Sequence, residues 1–197
     1  LDLLYVGARA TFETQQLVVS NVLGLIDDMS DSEIRQHEAR LHEQFQHLVR
    51  RLPQVEDVYI VDKEGRPLVA ANVFPMPANV SAADRPYFIA HRDGGEQRYV
   101  SEMFRSRIKN ADIFQYSERR QASDGGFDGV ILVAIPPSHF SNFFEQAAGT
   151  DNYTTSLVRD DGELLARFPT PGGTTKFAPN SQFMQSIARN PDSGIYN

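Results

Sequence analysis

The sequence predicts an α+β protein: a long N-terminal helical segment, then two tandem copies of one antiparallel-sheet module, the second cut short. Three observations predict it. All 11 prolines lie at or after Pro53, and of the 13 glycines only Gly7 and Gly24 precede Gly65, so residues 1–52 belong to helices. After Pro53 the apolar residues change from helical spacing to strand spacing. Finally, "SLVRDDGELLA" (156–166) repeats the logic of "YIVDKEGRPLV" (59–69), with Gly162 lying 97 residues after Gly65. At that offset Ile60 and Val61 meet Leu157 and Val158, Leu68 meets Leu165, and Tyr99 meets Tyr196.

Each element has a local cause. Leu4, Ala8, Thr11, Val18, Val22, Leu25 and Met29 approximate an a/d seam, weakened by Thr11 and Gln15. They define a first helix of about 28 residues, about 42 Å long at the α-helical rise. Ser30 followed by Glu33 is a capping box that opens a second helix, whose Ile34, Leu41, Phe45, Leu48 and Leu52 form one apolar stripe up to Pro53. A hairpin follows, with apolar runs at 58–61 and 67–71 around the turn "DKEGR". "DRPYF" starts a short helix, because Pro86 suits a first turn. Asp84 or Arg85 is its cap, and Gly94-Gly95 stops it near Asp93. Strands are expected at 98–104, 112–120 and 129–135, the last two joined by the turn-rich "QASDGGFDG". Pro136-Pro137 starts a further helix that runs to about Gly149. In the second copy "SQFMQSIAR" (181–189) falls opposite "DRPYFIAHR" (84–92), and "NPDSG" falls opposite "DGGEQ".

These bounds give a helical spine at 1–52, a first module at 53–150 that carries the expected pocket, and the start of a second at 151–197. That second copy lacks its last three strands, about fifty residues by the register of the repeat. With no initiator methionine and no signal-peptide pattern, the chain reads as an excised piece of something larger.

Composition excludes several functions. A net charge of −7 without a long basic run argues against nucleic acid, where clustered cations neutralise phosphate. No run of 18 apolar residues spans a bilayer. Absence of cysteine fits an oxidising compartment, though weakly. His37, His42 and His47 are five apart on a helix, so each is turned about 140° from the last and the three cannot converge on one ion. "HEARLH" also misses the spacing of zinc proteases. Ser138, His139 and Ser141 are helix neighbours that do not face one another, and no nucleophile elbow, phosphate loop or calcium loop is present. Neither a catalytic centre, a metal nor a cofactor is expected.

The segment 84–103 is different, because its parts can converge. Arg85 offers a planar fork for a carboxylate, while Tyr87 and Phe88 offer apolar walls and one hydroxyl. Strict alternation would add Tyr99, Ser101 and Met103 from one face of the next strand. The competing reading has Arg85 paired with Asp84 or Glu102 at the surface and the two rings plugging a core.

In this order "VYIVDKEGRPLVA", "DRPYF" with "GG" and "YVSE", "GGFDGVILVAI" leading into "HFSNFF", and "LVRDDGELLARFP" resemble the double-Cache (PDC-type) extracytoplasmic sensor domains of bacterial receptors, especially sensor histidine kinases. The resemblance covers nearly the whole chain. It implies a PAS-like five-stranded sheet in each module and a ligand in the first, membrane-distal one. Transmembrane helices would flank the fragment and anchor it in the inner membrane, facing the periplasm. It implies ligand contacts from Arg85, Tyr87, Tyr99 and Ser101, to which the reading adds Phe88, Met103 and Tyr116. Two departures point away from an amino acid: "RPYF" stands where the amino-acid-binding branch has Arg-x-Trp-Tyr, and "LVAIPPS" lacks that branch's aspartate. A small carboxylate or another small polar molecule is expected instead. The alternative is a chemoreceptor sensor, with an extracytoplasmic hydrolase behind it. Parallel pairing of two copies along the seam of Val18 and Val22 is expected in the full receptor.

Overall fold

The computed structural model describes residues 2–148, 154–169 and 175–190. It divides into two compact units, Leu1–Pro136 and Pro137–Asn197. The first begins with α1 (Asp2–Leu25), α2 (Asp31–Gln36) and α3 (Glu38–Val49). β1 (Asp57–Val61), β2 (Pro67–Ala70), α4 (Pro86–Arg92), β3 (Arg98–Val100), β4 (Phe104–Arg105), β5 (Asp112–Gln121) and β6 (Phe127–Ile135) complete it. The strands form one antiparallel sheet in the order β2-β1-β6-β5-β3, with β4 also on β5.

Side chains alternate across this sheet, so its register assigns the two faces. Asp57, Ala134 and Gln115 are in line across β1, β6 and β5, as are Tyr59, Leu132 and Ser117. This face carries α4 and the core of Tyr59, Val61, Tyr87, Phe88, Val130 and Leu132. On the other face Val58, Val133 and Tyr116 are in line, and so are Ile60, Ile131 and Glu118. The helices α1, α2 and α3 pack on the sheet, α1 on β5 and β6 and α3 on β1 and β2.

Local signals are realised in part as expected. Ser30 and Glu33 close the reciprocal capping box, Ser30 Oγ accepting from Glu33 N at 3.3 Å and Glu33 Oε2 accepting from Ser30 N at 2.8 Å. The second helix is broken at His37, whose backbone N–H and ring nitrogen both turn to the Glu33 carbonyl. Leu52 consequently lies beyond α3, and Val49 takes the place in the core expected of Leu48. α1 is also shorter than expected, ending at Leu25 before a left-handed turn at Asp28.

The seam of α1 corrects the expected route to pairing. Thr11, Gln15, Val18, Val19, Val22 and Ile26 are buried within the chain's own first unit. Val18 and Val22 therefore cannot also meet a second copy. Leu3, Val6 and Leu17, on the far side of the helix, are exposed.

The second unit contains α5 (Pro137–Ala148), β7 (Thr155–Val158), β8 (Leu164–Phe168) and α6 (Gln182–Arg189). Its hairpin reproduces the β1–β2 pairing at the 97-residue offset. Tyr59↔Ala70 and Ile60↔Val69 correspond to Ser156↔Arg167 and Leu157↔Ala166, and the bulge between Ile60 and Val61 recurs between Leu157 and Val158. The matches at Tyr196 and at the break after Asn190 lie outside the described residues. Among those described, no helix is long and apolar enough to cross a membrane.

Phe45 of α3 is fully buried, so Phe45→Ala should cost about 3–5 kcal/mol in denaturant unfolding. Leu17→Ala, at an exposed site, should change stability by less than about 0.5 kcal/mol.

Candidate functional site

A cavity opens on the α4 face of the sheet, and its roof is set by one close crossing. Gly65, in the β1–β2 turn, has φ +84° and its carbonyl accepts from Ala82 N at 2.7 Å. A Cβ there would lie 2.6 Å from Ala83 N, so only glycine lets the strap of residues 80–85 cross at this distance. The strap then delivers Arg85 as the N-cap of α4, with Pro86 in the first turn. At its other end α4 is fixed by the buried His91, whose Nδ1 meets the Glu96 carbonyl and whose Nε2 lies 2.8 Å from Ser117 Oγ. Burial lowers the His91 pKa. This histidine–serine contact is sealed in the core and anchors the helix.

The opposite wall is the loop after β4. Ser106 organises it, taking Ile108 N and Lys109 N on its hydroxyl at 3.3 and 3.2 Å. Arg107 reaches across the mouth to the strap. It donates to both carboxylate oxygens of Asp84, at 2.8 and 2.7 Å, and to the Ser81 carbonyl at 2.8 Å. Hydrogen bonding from this guanidinium holds the Asp84 pKa down to about 2.

Between strap and loop lies a cavity of about 50 Å³. That is room for about four waters, or a molecule with a handful of non-hydrogen atoms. Tyr59, Val61, Gln115 and Leu132 form its floor, Tyr87, Phe104 and Ser106 its walls, and Arg85 and Arg107 its charged lining. Tyr87 stacks on Phe104 at 6.0 Å, and Arg85 lies over the same ring at 4.6 Å. Burial raises the pKa of both phenols, so Tyr59 and Tyr87 keep their protons, the Tyr59 hydroxyl being engaged with Asp57. Because Asp84 is committed to Arg107, no carboxylate among the described residues lies within 4 Å of the Arg85 guanidinium. Arg85 makes a 3.3 Å contact to the Arg105 carbonyl and is otherwise available to an anion.

No family profile matches the chain, and no curated protein matches it. Solved structures do. The extracellular domain of a candidate histidine kinase, rpHK1S-Z16, is 27% identical, with a TM-score of 0.78 over 98% of this chain and 78% of that one. The ligand-binding domain of the Pseudomonas aeruginosa PAO1 amino-acid chemoreceptor PctC, solved in complex with GABA, is 19% identical. It has a TM-score of 0.61 over 86% of this chain and 72% of that one. That of the Campylobacter jejuni chemoreceptor Tlp3, in complex with L-norvaline, is 17% identical, with a TM-score of 0.60 over 84% and 66%. The fold is that of a Cache (PDC) sensor domain.

Within this sensor domain two of the seven expected site residues, Arg85 and Tyr87, line the cavity. The other five are placed elsewhere. Phe88 is fully buried behind Tyr87, edge-on to Phe127 at 5.3 Å. The strand expected over 98–104 divides into β3 and β4, because Ser101 turns its hydroxyl to Gln115 N and the Glu102 carbonyl. Alternation therefore fails there: Tyr99 packs near His91 at 6.4 Å, and Met103 is exposed. Tyr116 lies on the other face of β5, its hydroxyl bonded to Glu118. The residues missed were Tyr59, Ser106, Arg107 and Gln115. Only Gln115 carried a sequence signal, as a polar residue inside the apolar run "IFQY".

The Arg107–Asp84 clasp has a definite pH dependence. Asp84 has a depressed pKa in the folded state, so its small stabilising contribution is present above its unfolded pKa of about 4 and is lost as pH falls through about 2. The Tm difference between the wild type and Asp84→Asn should be constant near neutrality and vanish over that acid range in thermal melts.

Proposed function

We propose that this chain is the extracytoplasmic ligand-binding part of a transmembrane signalling receptor that takes up a small anionic molecule in the cavity of its first unit. The observation that carries the reading is Arg85: a guanidinium at a small cavity, near the protonated phenol of Tyr87, with no carboxylate of its own. The solved complexes with GABA and L-norvaline support a small-molecule ligand for this fold. A histidine kinase is the preferred parent, because the neighbour with 27% identity is the extracellular domain of a candidate kinase. The chemoreceptor domains favour the second reading, in which the same sensor drives a chemotaxis output. In either receptor the parent would sit in the inner membrane, with this domain in the periplasm.

The second unit is read as the start of a membrane-proximal module of the same kind. The repeated hairpin register supports this, and so does a repeated crossing: Gly162, at φ +92°, accepts from Phe177 N at 2.9 Å as Gly65 does from Ala82 N. Ligand binding would then shift the balance between two arrangements of the receptor.

Arg85→Ala should fold normally and lose about ten- to a hundredfold in affinity for a small carboxylate, the value of about 1.5–3 kcal/mol of a charge-assisted contact. A thermal-shift screen of short carboxylates followed by calorimetry on both proteins checks it, and equal affinities would count against the site. Pairing of two receptors is proposed along the outer face of α1. Cysteines placed at Val6 or Leu17 should crosslink in membranes, whereas those at the buried Val18 or Val22 should not.

A further inference from the structure

The charges at the cavity leave one positive charge over, and a residue outside the lining decides that number. Arg85 and Arg107 both line the cavity, and among the described residues no carboxylate does. The two guanidiniums are not equivalent. Arg107 gives both terminal nitrogens to the carboxylate of Asp84, at 2.8 and 2.7 Å, and also donates to the Ser81 carbonyl at 2.8 Å. Arg85 rests on the face of Phe104 and donates to the Arg105 carbonyl at 3.3 Å, a neutral partner that leaves its charge uncompensated.

The cations next to these two are neutralised as well. Lys109, in the same loop as Arg107, has its Nζ 3.0 Å from Glu56 Oε1 and 3.6 Å from Asp57 Oδ2. Arg105 Nη1 lies 3.2 Å from Asp112 Oδ1. Neither residue belongs to the lining, whose remaining members, Val61, Ile108 and Leu132 among them, are uncharged. A ligand with one carboxylate therefore finds its counter-charge in Arg85. A second carboxylate would meet only the Arg107–Asp84 pair, whose net charge is zero. Turning Arg107 toward the ligand does not alter this count, because Asp84 would then stand unpaired beside it. A charge taken out of water without a partner is costly, so the second carboxylate weakens binding.

We infer that Asp84 is a specificity-determining residue of the site: by neutralising Arg107 it limits the ligand to a single carboxylate and excludes dicarboxylates. This rests on the reading of the cavity as an anion site and adds to it the charge of the ligand. Asp84 does so without lining the cavity. The fold fixes its place, since it follows the crossing of Ala82 and Ala83 over Gly65 and immediately precedes Arg85, the N-cap of α4. The residue that occupies one arginine and the arginine that meets the anion are thus carried side by side on one strap.

Glycolate and oxalate test this, since they are close in size and oxalate carries an ionised carboxylate where glycolate has a hydroxymethyl group. Calorimetry on the wild type at neutral pH should find glycolate bound at least about tenfold more tightly, the effect of burying one unpaired charge. Asp84 is exposed, so Asp84→Asn should fold, keeping the shape of the side chain while releasing the charge of Arg107. In that variant the preference for glycolate should fall by about tenfold or more, to parity or below. Adding Arg107→Gln to it should restore the preference. A wild type that binds oxalate as tightly as glycolate overturns the inference while leaving the anion site intact, and this comparison needs no variant. So does a preference unmoved in Asp84→Asn, or one that stays lost after Arg107→Gln. Failure of both acids to bind the wild type overturns the anion site together with the inference.

Discussion

The site depends on the crossing of the strap over the β1–β2 turn. Gly65 has no Cβ and adopts φ +84°, and these two properties let Ala82 N reach its carbonyl at 2.7 Å. Everything above the sheet follows from that contact. The strap leaves the crossing in a fixed direction, Arg85 caps α4, Pro86 sets its first turn, and Tyr87 turns inward to stack on Phe104. A side chain at position 65 would lift the strap and with it the roof of the cavity. That the turn at Gly162 contacts Phe177 in the same way shows the device used twice by one chain.

From this constraint comes a division of labour between two arginines close in space. Arg107 is spent on structure: it closes the mouth by holding Asp84 and the Ser81 carbonyl. By occupying Asp84 it leaves Arg85 without an internal counter-charge, resting on the face of Phe104. A cation on an aromatic face retains most of its capacity for an anion, because the ring supplies attraction without accepting the N–H donors. The protonated phenol of Tyr87 stands near Arg85. The charged donors of the pocket, Arg85 and Arg107, both belong to its lining.

Much of this was legible in the sequence where the determinants are local. The capping box at Ser30, Pro86 at the start of α4, and the hairpin around Gly65 are decided by neighbours within a few residues, and all three stand as read. The repeated hairpin was legible because its register is carried by the pattern itself. Facing was not. β5 is buried on both faces, so "IFQYS" has no polar side to mark which residue looks into the cavity, and Gln115 and Tyr116 exchange roles on a shift of one. The a/d stripe of α1 reads equally as a seam for a second helix or for its own sheet, and the sheet claims it. The break at Ser101 arises from a side-chain bond to a strand 14 residues away, which no local pattern announces.

The most direct test of the account is a crystal structure of the domain with glycolate bound. The account predicts the acid inside the cavity, its carboxylate about 3 Å from the Arg85 guanidinium. A glycolate seated elsewhere on the protein, or held in the cavity without contact to Arg85, would contradict it.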